Sequence, residues 1–316
     1  MKKKLCLSFA VIVCLISFSA MVFAEEPDGV ILKRFRPSIS TGYAYMGPTN
    51  IVFEAKNIPL LGAGKFDVDL PGKSGSYVGG DFSFSFTDRL NLTVGGRLAN
   101  AWTTPVMHEQ YNGNPAIGRN WESDQQFSMM VEAMLAYAFV RNVSFVKNVS
   151  GTVGVRGDFQ HIRFKDPSQA SGVVSSVIDK MDLNVGTVSP VIGVTSTFSG
   201  FRSGIFGGDI KVGVSASPFA LGSVKYEETF SPAGTKVEAE DNFYRSMMIS
   251  ASAEATVITA KINPKADLMV SIYGQYTRYF IDSEIEMQAT GGSTGDFNFS
   301  MQPSMTIVGI KAAVEF

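Results

Sequence analysis

Apolar and polar residues alternate with a period of two along most of the chain, in short segments separated by polar connections. In residues 90–98, for example, the apolar Leu92 and Val94 are at even-numbered positions, and the polar Asn91 and Thr93 are at odd-numbered positions. Successive side chains of a β-strand point to opposite faces, so the pattern predicts strands with one apolar face. We predict ten strands, at residues 37–46, 77–86, 90–98, 126–140, 151–163, 188–198, 206–221, 243–257, 268–280 and 304–316.

Two features leave local alternatives open. Residues 126–140 are also compatible with a buried helix, but Phe127 and Phe139 have the same parity at the two ends, which favours a strand. Pro190 and Pro218 fall inside predicted strands. Because proline lacks the backbone N–H and removes one hydrogen bond from the ladder, we expect a β-bulge at each of these positions.

The connections between the predicted strands alternate in length. Short turns, at residues 87–89, 141–150, 199–205 and 258–267, alternate with long polar stretches at 47–76, 103–125, 165–187, 222–242 and 281–303. Short turns at one end, long loops at the other and an even strand count are typical of membrane barrels. The first long stretch has room for a further hairpin, so eight or twelve strands are alternatives to ten.

The composition favours a membrane-spanning sheet. Apolar residues make up 45% of the chain, yet after residue 25 no apolar run approaches the length of a spanning helix. Hydrocarbon offers no hydrogen-bond partners, so a sheet that crosses a membrane must close on itself. The sequence therefore predicts an all-β fold, a transmembrane up-and-down antiparallel β-barrel. The 27 basic and 29 acidic residues give no indication of nucleic-acid binding.

The first 24 residues have the layout of a secretory signal peptide. Three lysines follow Met1, residues 5–22 are largely apolar, and Ala24 provides a cleavage site. A membrane-anchor helix is the alternative, but the acidic residues that follow favour cleavage. We therefore predict a signal peptide at 1–24, a short segment at 25–36 and a barrel domain at 37–316.

Both cysteines of the sequence, Cys6 and Cys14, lie in the predicted signal peptide. After cleavage the chain would contain no disulfide, no thiolate metal ligand and no cysteine nucleophile. We expect neither a metal site nor a cofactor.

The last predicted strand ends at an aromatic residue, and its apolar face carries Phe316, Val314, Ala312 and Ile310. Such a strand resembles the closing strand of Gram-negative outer-membrane β-barrels. In that family the C-terminal Phe is part of the signal that the barrel assembly machinery reads. The resemblance implies an outer-membrane protein, with the assembly machinery and periplasmic chaperones as partners during biogenesis. The oligomeric state is left open.

A ten-stranded barrel of this size also resembles the omptin surface proteases, which use a pair of aspartates facing an Asp-x-His unit. Neither His108 nor His161 occurs in such a unit. Asp158 and His161 are three residues apart, which places them on opposite faces of a strand. No catalytic residue transfers from this resemblance, so we expect no enzymatic activity.

With the apolar faces turned outward, the opposite faces carry charges into the barrel. We predict that Asp81 lies near Arg97, and that Glu132 lies near Arg156 and Asp158, because opposite charges at cross-strand positions attract. Such a network either fills a narrow lumen or forms a constriction that passes small ions. Barrels near eight strands are filled by side chains, so we expect little or no passage. The predicted lumen network comprises Asp81, Arg97, Glu132, Arg156, Asp158, Lys211 and Glu254.

Three outward arginines are predicted at the extracellular ends of the strands: Arg163, Arg245 and Arg278. Each has an aromatic residue of the same parity nearby, and a guanidinium can bind phosphate in a bidentate manner. We predict a contact with lipopolysaccharide and other outer-membrane lipid, with simple snorkelling at the interface as the alternative.

The function that fits these features best is a porin-like or structural outer-membrane barrel with a narrow charged lumen. A surface recognition or adhesion barrel that acts through its long loops is the alternative, because loops on rigid scaffolds often carry function. An omptin-like surface hydrolase comes third.

Overall fold

The computed structural model describes residues 35–55, 64–101, 106–111, 114–169, 178–230, 235–243, 245–289 and 294–316. The predicted signal peptide lies outside these residues. In the described ranges no helix is long and apolar enough to cross a membrane.

The described residues form sixteen strands in one antiparallel sheet. They are β1 (Phe35–Met46), β2 (Thr49–Ala55), β3 (Lys65–Leu70), β4 (Lys73–Ser85), β5 (Leu90–Ala101), β6 (Val106–Tyr111), β7 (Asn114–Val143), β8 (Val146–Gln169), β9 (Ile178–Ser203), β10 (Phe206–Ser217), β11 (Leu221–Phe230), β12 (Thr235–Phe243), β13 (Arg245–Asn263), β14 (Ala266–Ala289), β15 (Thr294–Met301) and β16 (Ser304–Glu315).

Ten of these strands close into a barrel, which we call the lower ring. Its order is β1-β4-β5-β7-β8-β9-β10-β13-β14-β16, and β16 pairs with β1 to complete the circle. These are the ten strands that the alternating pattern predicts. The transmembrane antiparallel barrel is therefore confirmed, and residues 126–140 are part of strand β7 rather than a helix.

A second closed circle of strands, which we call the upper ring, stands on the first. Its order is β7-β8-β9-β11-β12-β14-β15-β2-β3-β6, with β6 returning to β7. The two rings share the long strands β7, β8, β9 and β14. The prediction of long polar loops was wrong for most of these residues, which instead form strands. A β2–β3 hairpin does occupy the first of these stretches, but it belongs to the upper ring and leaves the lower strand count at ten.

The two rings have opposite polarity, and β14 shows the change within one strand. In the lower ring its outward Ile272 is 54% exposed, while Gln275 points into the barrel. In the upper ring the outward Glu284 is exposed and the inward Ile285 is buried. The lower ring thus presents apolar side chains to its surroundings, as hydrocarbon requires, and the upper ring presents charged side chains, as water allows.

The outward side chains of the upper ring also pair with one another. On the β11–β12 hairpin, Lys236 donates a hydrogen bond to Glu227 at 3.2 Å. That hydrogen bond and the attraction of the Glu227 charge raise the pKa of Lys236. Both are features of a water-facing surface rather than of a lipid-facing one.

An apolar core fills the inside of the upper ring. Its side chains come from shared strands and from strands that belong to the upper ring alone, so burial ties the two sets together. Each fully buried side chain of this size contributes about 1.5–3 kcal/mol to folding. The core includes Ile51, Phe53, Val68, Leu70, Ile162, Phe164, Leu183, Val224, Ile281, Ile285, Phe297 and Phe299.

Proline residues lie at the boundary between the rings. Pro48 separates β1 from β2, Pro71 separates β3 from β4, and Pro303 separates β15 from β16. At each of these points the chain leaves one ring and enters the other, so a ladder hydrogen bond is interrupted in any case. A residue without an N–H therefore costs little there.

The predicted bulges at Pro190 and Pro218 were wrong. The β8–β9 register runs through the Val155–Pro190 pair without a shift. On its other side β9 pairs with β10 up to Ile192 and with β11 from Val188 onward, so Pro190 occupies the break between two partners. Pro218 directly follows the last residue of β10. Both prolines therefore mark the same boundary.

The seam of the lower ring lies between β1 and β16. Phe316 donates its N–H to the Phe35 carbonyl at 2.9 Å, and the phenyl rings of these two residues stack with their centroids 6.2 Å apart. Higher in the seam Gly42 pairs directly with Gly309. A Cβ at Gly309 would fall 2.6 Å from the Tyr77 hydroxyl, so the missing side chain makes room for this tyrosine inside the barrel.

Candidate functional site

The charged side chains inside the lower ring form a layered network. In its lowest layer Lys311 lies 3.0 Å from Asp81 and 3.3 Å from Glu254. Arg36 approaches the other oxygen of Glu254 at 3.1 Å. Four strands, β1, β4, β13 and β16, contribute these groups, so the contacts cross both the seam and the lumen.

Arg97 forms the next layer. One guanidinium nitrogen lies 3.6 Å from Asp81, the pair predicted from the sequence, and another donates to Gln275. The guanidinium also lies 4.9 Å from the centre of the Tyr273 ring, a cation–π distance. Tyr273 in turn donates its hydroxyl hydrogen to Gln275 at 2.7 Å. Arg97 is thus held on several sides by groups from β4 and β14.

The top layer is a compact triad of Arg156, Asp158 and Tyr279. Arg156 donates from Nε to both carboxylate oxygens of Asp158 at 3.0 Å and from a terminal nitrogen to Tyr279 at 2.6 Å. Tyr279 donates to Asp158 at 2.6 Å. Glu132 stands opposite Arg156 in the β7–β8 register. The guanidinium nevertheless forms its ion pair with Asp158, two residues away on its own strand.

The structure places all seven predicted lumen residues inside the lower ring, but it does not join them in one set of contacts. Lys211 lies opposite Glu254 in register, without an ion pair to it. Several participants were missed as site residues, notably Arg36, Tyr273 and Tyr279. The available signal was the position of these residues on the inward faces of β1 and β14, because inward positions beside charges favour hydroxyl and guanidinium groups.

The apolar core of the upper ring lies directly above the triad. Tyr279 belongs to both the triad and the apolar core, since its ring packs within the core and its hydroxyl forms hydrogen bonds with Arg156 and Asp158. The lowest layer of the network lines a polar cavity of about 340 Å³, with Arg36 and Glu254 in its wall, and this cavity opens at the end carrying Phe35.

The three predicted rim arginines have different surroundings. Arg163 forms an ion pair with Asp182 at 2.8 Å. Arg278 donates to Gln302 at 3.0 Å and stacks on the Phe280 ring with 5.2 Å to its centre. Arg245 begins β13, and its side chain lies outside the described residues.

Of the two histidines, only His161 has a described side chain, and no acidic residue is among the contacts described for it. His161 is buried against the Phe127 ring at 5.1 Å, and its Nδ1 lies 2.8 Å from the amide oxygen of Asn184. His108 is part of β6, and its side chain is outside the described residues. Within the described ranges, no group of three or more His, Cys, Asp or Glu residues is placed to hold a metal ion.

Comparison with solved structures finds barrels of the outer membrane. The outer membrane protease OmpT from Escherichia coli superimposes with a TM-score of 0.66 at 11% identity, covering 93% of this chain and 100% of that one. The chain has the ten-stranded barrel fold of outer-membrane proteins. The outer membrane protein OprG from Pseudomonas aeruginosa matches with a TM-score of 0.34 at 13% identity, over 88% of this chain and 95% of that one. No protein-family model and no curated protein sequence matches the chain.

Removing one partner of the buried triad should destabilise the barrel. We expect Arg156→Met to lower the free energy of unfolding by about 3–5 kcal/mol, because it leaves the Asp158 carboxylate buried without its cation. The measurement is urea unfolding of the folded protein in detergent micelles.

The matched control is Arg202→Met, which breaks the exposed Arg202–Asp209 pair of 3.2 Å. This substitution should cost less than about 1 kcal/mol. Equal losses for the two variants would contradict a special role for the buried triad.

Proposed function

We propose that the protein is an integral outer-membrane barrel, porin-like or structural, whose lumen gives little or no passage to small solutes. The observation that carries this proposal is the apolar core inside the upper ring. Porins have polar, water-filled interiors, and ions pay a large desolvation cost in an apolar passage. The charge network below the core adds a second layer of packed side chains.

The number of strands supports the same conclusion. Open aqueous channels are typical of barrels with 16–18 strands, whereas interiors near eight strands are filled by side chains. The lower ring has ten strands, close to the filled end of that range. Tyr77, Arg97, Arg156 and Tyr273 reach into its centre and are each less than 10% exposed.

The proposal includes export and outer-membrane assembly. The predicted signal peptide would carry the chain across the inner membrane, and Phe316 at the seam fits the assembly signal expected from the last strand. Phe35 and Phe316 would then face the periplasm and the upper ring would face outward. No catalytic role is proposed. Recognition through the surface of the upper ring is the alternative function.

Conductance tests this proposal directly. The purified, folded protein reconstituted into planar bilayers should show no steady open pore. A Phe53→Ala/Phe299→Ala variant removes two rings packed 5.3 Å apart in the core and should raise ion leakage. The control Ser300→Ala, on the opposite face of β15, should leave conductance unchanged. A large, steady pore in the wild-type protein would refute the proposal.

We also propose that Arg278 contacts lipopolysaccharide phosphate at the lipid boundary. It points outward at the top of the lower ring, where β14 changes partner from β16 to β15. Stacking on Phe280 holds the guanidinium near the level at which headgroups are expected. Arg163 is less available, since Asp182 already neutralises its charge.

Co-purification tests this contact. Arg278→Gln should reduce the amount of lipopolysaccharide that remains bound to the folded barrel, because a charge-assisted contact to phosphate is lost. Arg163→Gln is the control and should have a smaller effect. Unchanged lipopolysaccharide content in the Arg278 variant would exclude this role.

A further inference from the structure

The polar cavity of the lower lumen has a mouth and a blind end. Its first compartment, of about 340 Å³, is lined by side chains from all ten strands of the lower ring and opens beside Phe35. A second compartment of about 170 Å³ continues upward to Arg97 and Tyr273. Lys211 and Glu254 lie on the walls of both. With the upper ring closed as proposed above, a solute that enters from below can leave only by the same mouth.

Lys211 is a charged group on this wall that forms no ion pair with any described side chain. Lys211 lies directly across from Glu254 in the β10–β13 register. The two carboxylate oxygens of Glu254, however, are taken by Arg36 at 3.1 Å and Lys311 at 3.3 Å. Among the described side chains, Lys211 has no ion pair or hydrogen bond, and it is exposed to the cavity.

The charges around this ammonium favour an anion with a single charge. Four cations surround this part of the cavity, and they face three carboxylates, which leaves one positive charge in excess. The cations are Arg36, Arg97, Lys211 and Lys311, and the carboxylates are Asp81, Glu132 and Glu254. A charge inside a restricted, low-dielectric cavity gains more from a counter-ion than a charge in open water does. A second negative charge on the anion would find no further excess cation to balance it.

Hydroxyl-bearing side chains line the cavity wall beside Lys211. Thr197 is its neighbour on β9, and Thr195 and Ser252 line the cavity nearby. Hydroxyls donate hydrogen bonds, and a carboxylate has about four lone-pair sites to accept them. Lys211 supplies the charge and these residues supply the directional contacts.

We propose that this cavity binds a small monocarboxylate anion, with Lys211 as the group that holds its carboxylate. The anion reaches the site from the periplasmic mouth. The site is distinct from a transport path, because the same mouth serves entry and exit. It would make the barrel a reversible binder of small organic acids on the inner side of the outer membrane.

Acetate is the probe. The full folded chain in detergent micelles is titrated with ¹³C-labelled acetate at constant ionic strength, and binding is followed by line broadening of the acetate resonance. The wild-type protein should bind saturably. Lys211→Met should weaken binding by about tenfold or more, the loss expected for one charge-assisted contact. Lys211→Arg, which keeps the charge, should stay within about threefold of the wild type on the same scale.

The matched control is Lys147→Met. Lys147 lines the same cavity but is paired with Asp209 at 2.6 Å, so its loss removes an equal charge without removing the lone ammonium. Its affinity for acetate should stay close to that of the wild type. Should the Lys211→Met chain fail to fold, Lys211→Gln provides the same comparison.

Two results would overturn the proposal: no saturable acetate binding by the wild-type protein, or equal affinity in the wild-type and Lys211→Met proteins. Either result leaves the closed lumen standing, since conductance is measured separately. A steady pore with acetate binding intact would instead refute the closed lumen and retain the site.

Discussion

The fold depends on one constraint. Each long strand must present apolar side chains to hydrocarbon along one part of its length and polar side chains to water along the next. Side chains alternate across a strand, so the outward positions must change from apolar to polar at the membrane boundary. Ile272 and Glu284 make that change on β14. The inward positions change in the opposite sense, from polar in the lower ring to apolar in the upper ring. The second ring therefore has a core like that of a water-soluble barrel.

This inversion explains why the charge network lies where it does. Below the boundary the outward faces are occupied by apolar residues, so polar groups collect inside, where each charge needs a partner. The Arg156–Asp158–Tyr279 triad is the last polar layer before the apolar core. Tyr279 suits this position because it has an apolar ring and a polar tip. Lys211, further down, lines the polar cavity and forms no ion pair with any described side chain.

Much of the lower ring was predictable, since period-two alternation with an apolar face identifies lipid-facing strands such as those of Leu92 and Val153. The upper ring was not, because Glu54, Asp69 and Glu284 on its outer face look like loop residues. Three prolines were the sequence signal for the upper ring. Pro48, Pro71 and Pro303 lie where the chain passes from one ring to the other. Within the site, the alternation of side chains along the strands correctly placed Asp81 and Arg97 inside the barrel. It did not reveal that Arg156 pairs along its own strand with Asp158, which depends on the rotamers that the lumen allows.

Single cysteine substitutions on β14 test the inversion most directly, because both cysteines of the chain, Cys6 and Cys14, lie in the predicted signal peptide. Ile272→Cys, Glu284→Cys and Ile285→Cys place a thiol outward in the lower ring, outward in the upper ring and inward in the upper ring. In proteoliposomes, a water-soluble maleimide should label the Glu284 variant rapidly and the other two slowly, while all three react after unfolding. Rapid labelling of the Ile272 or Ile285 variant in the folded protein would contradict this account.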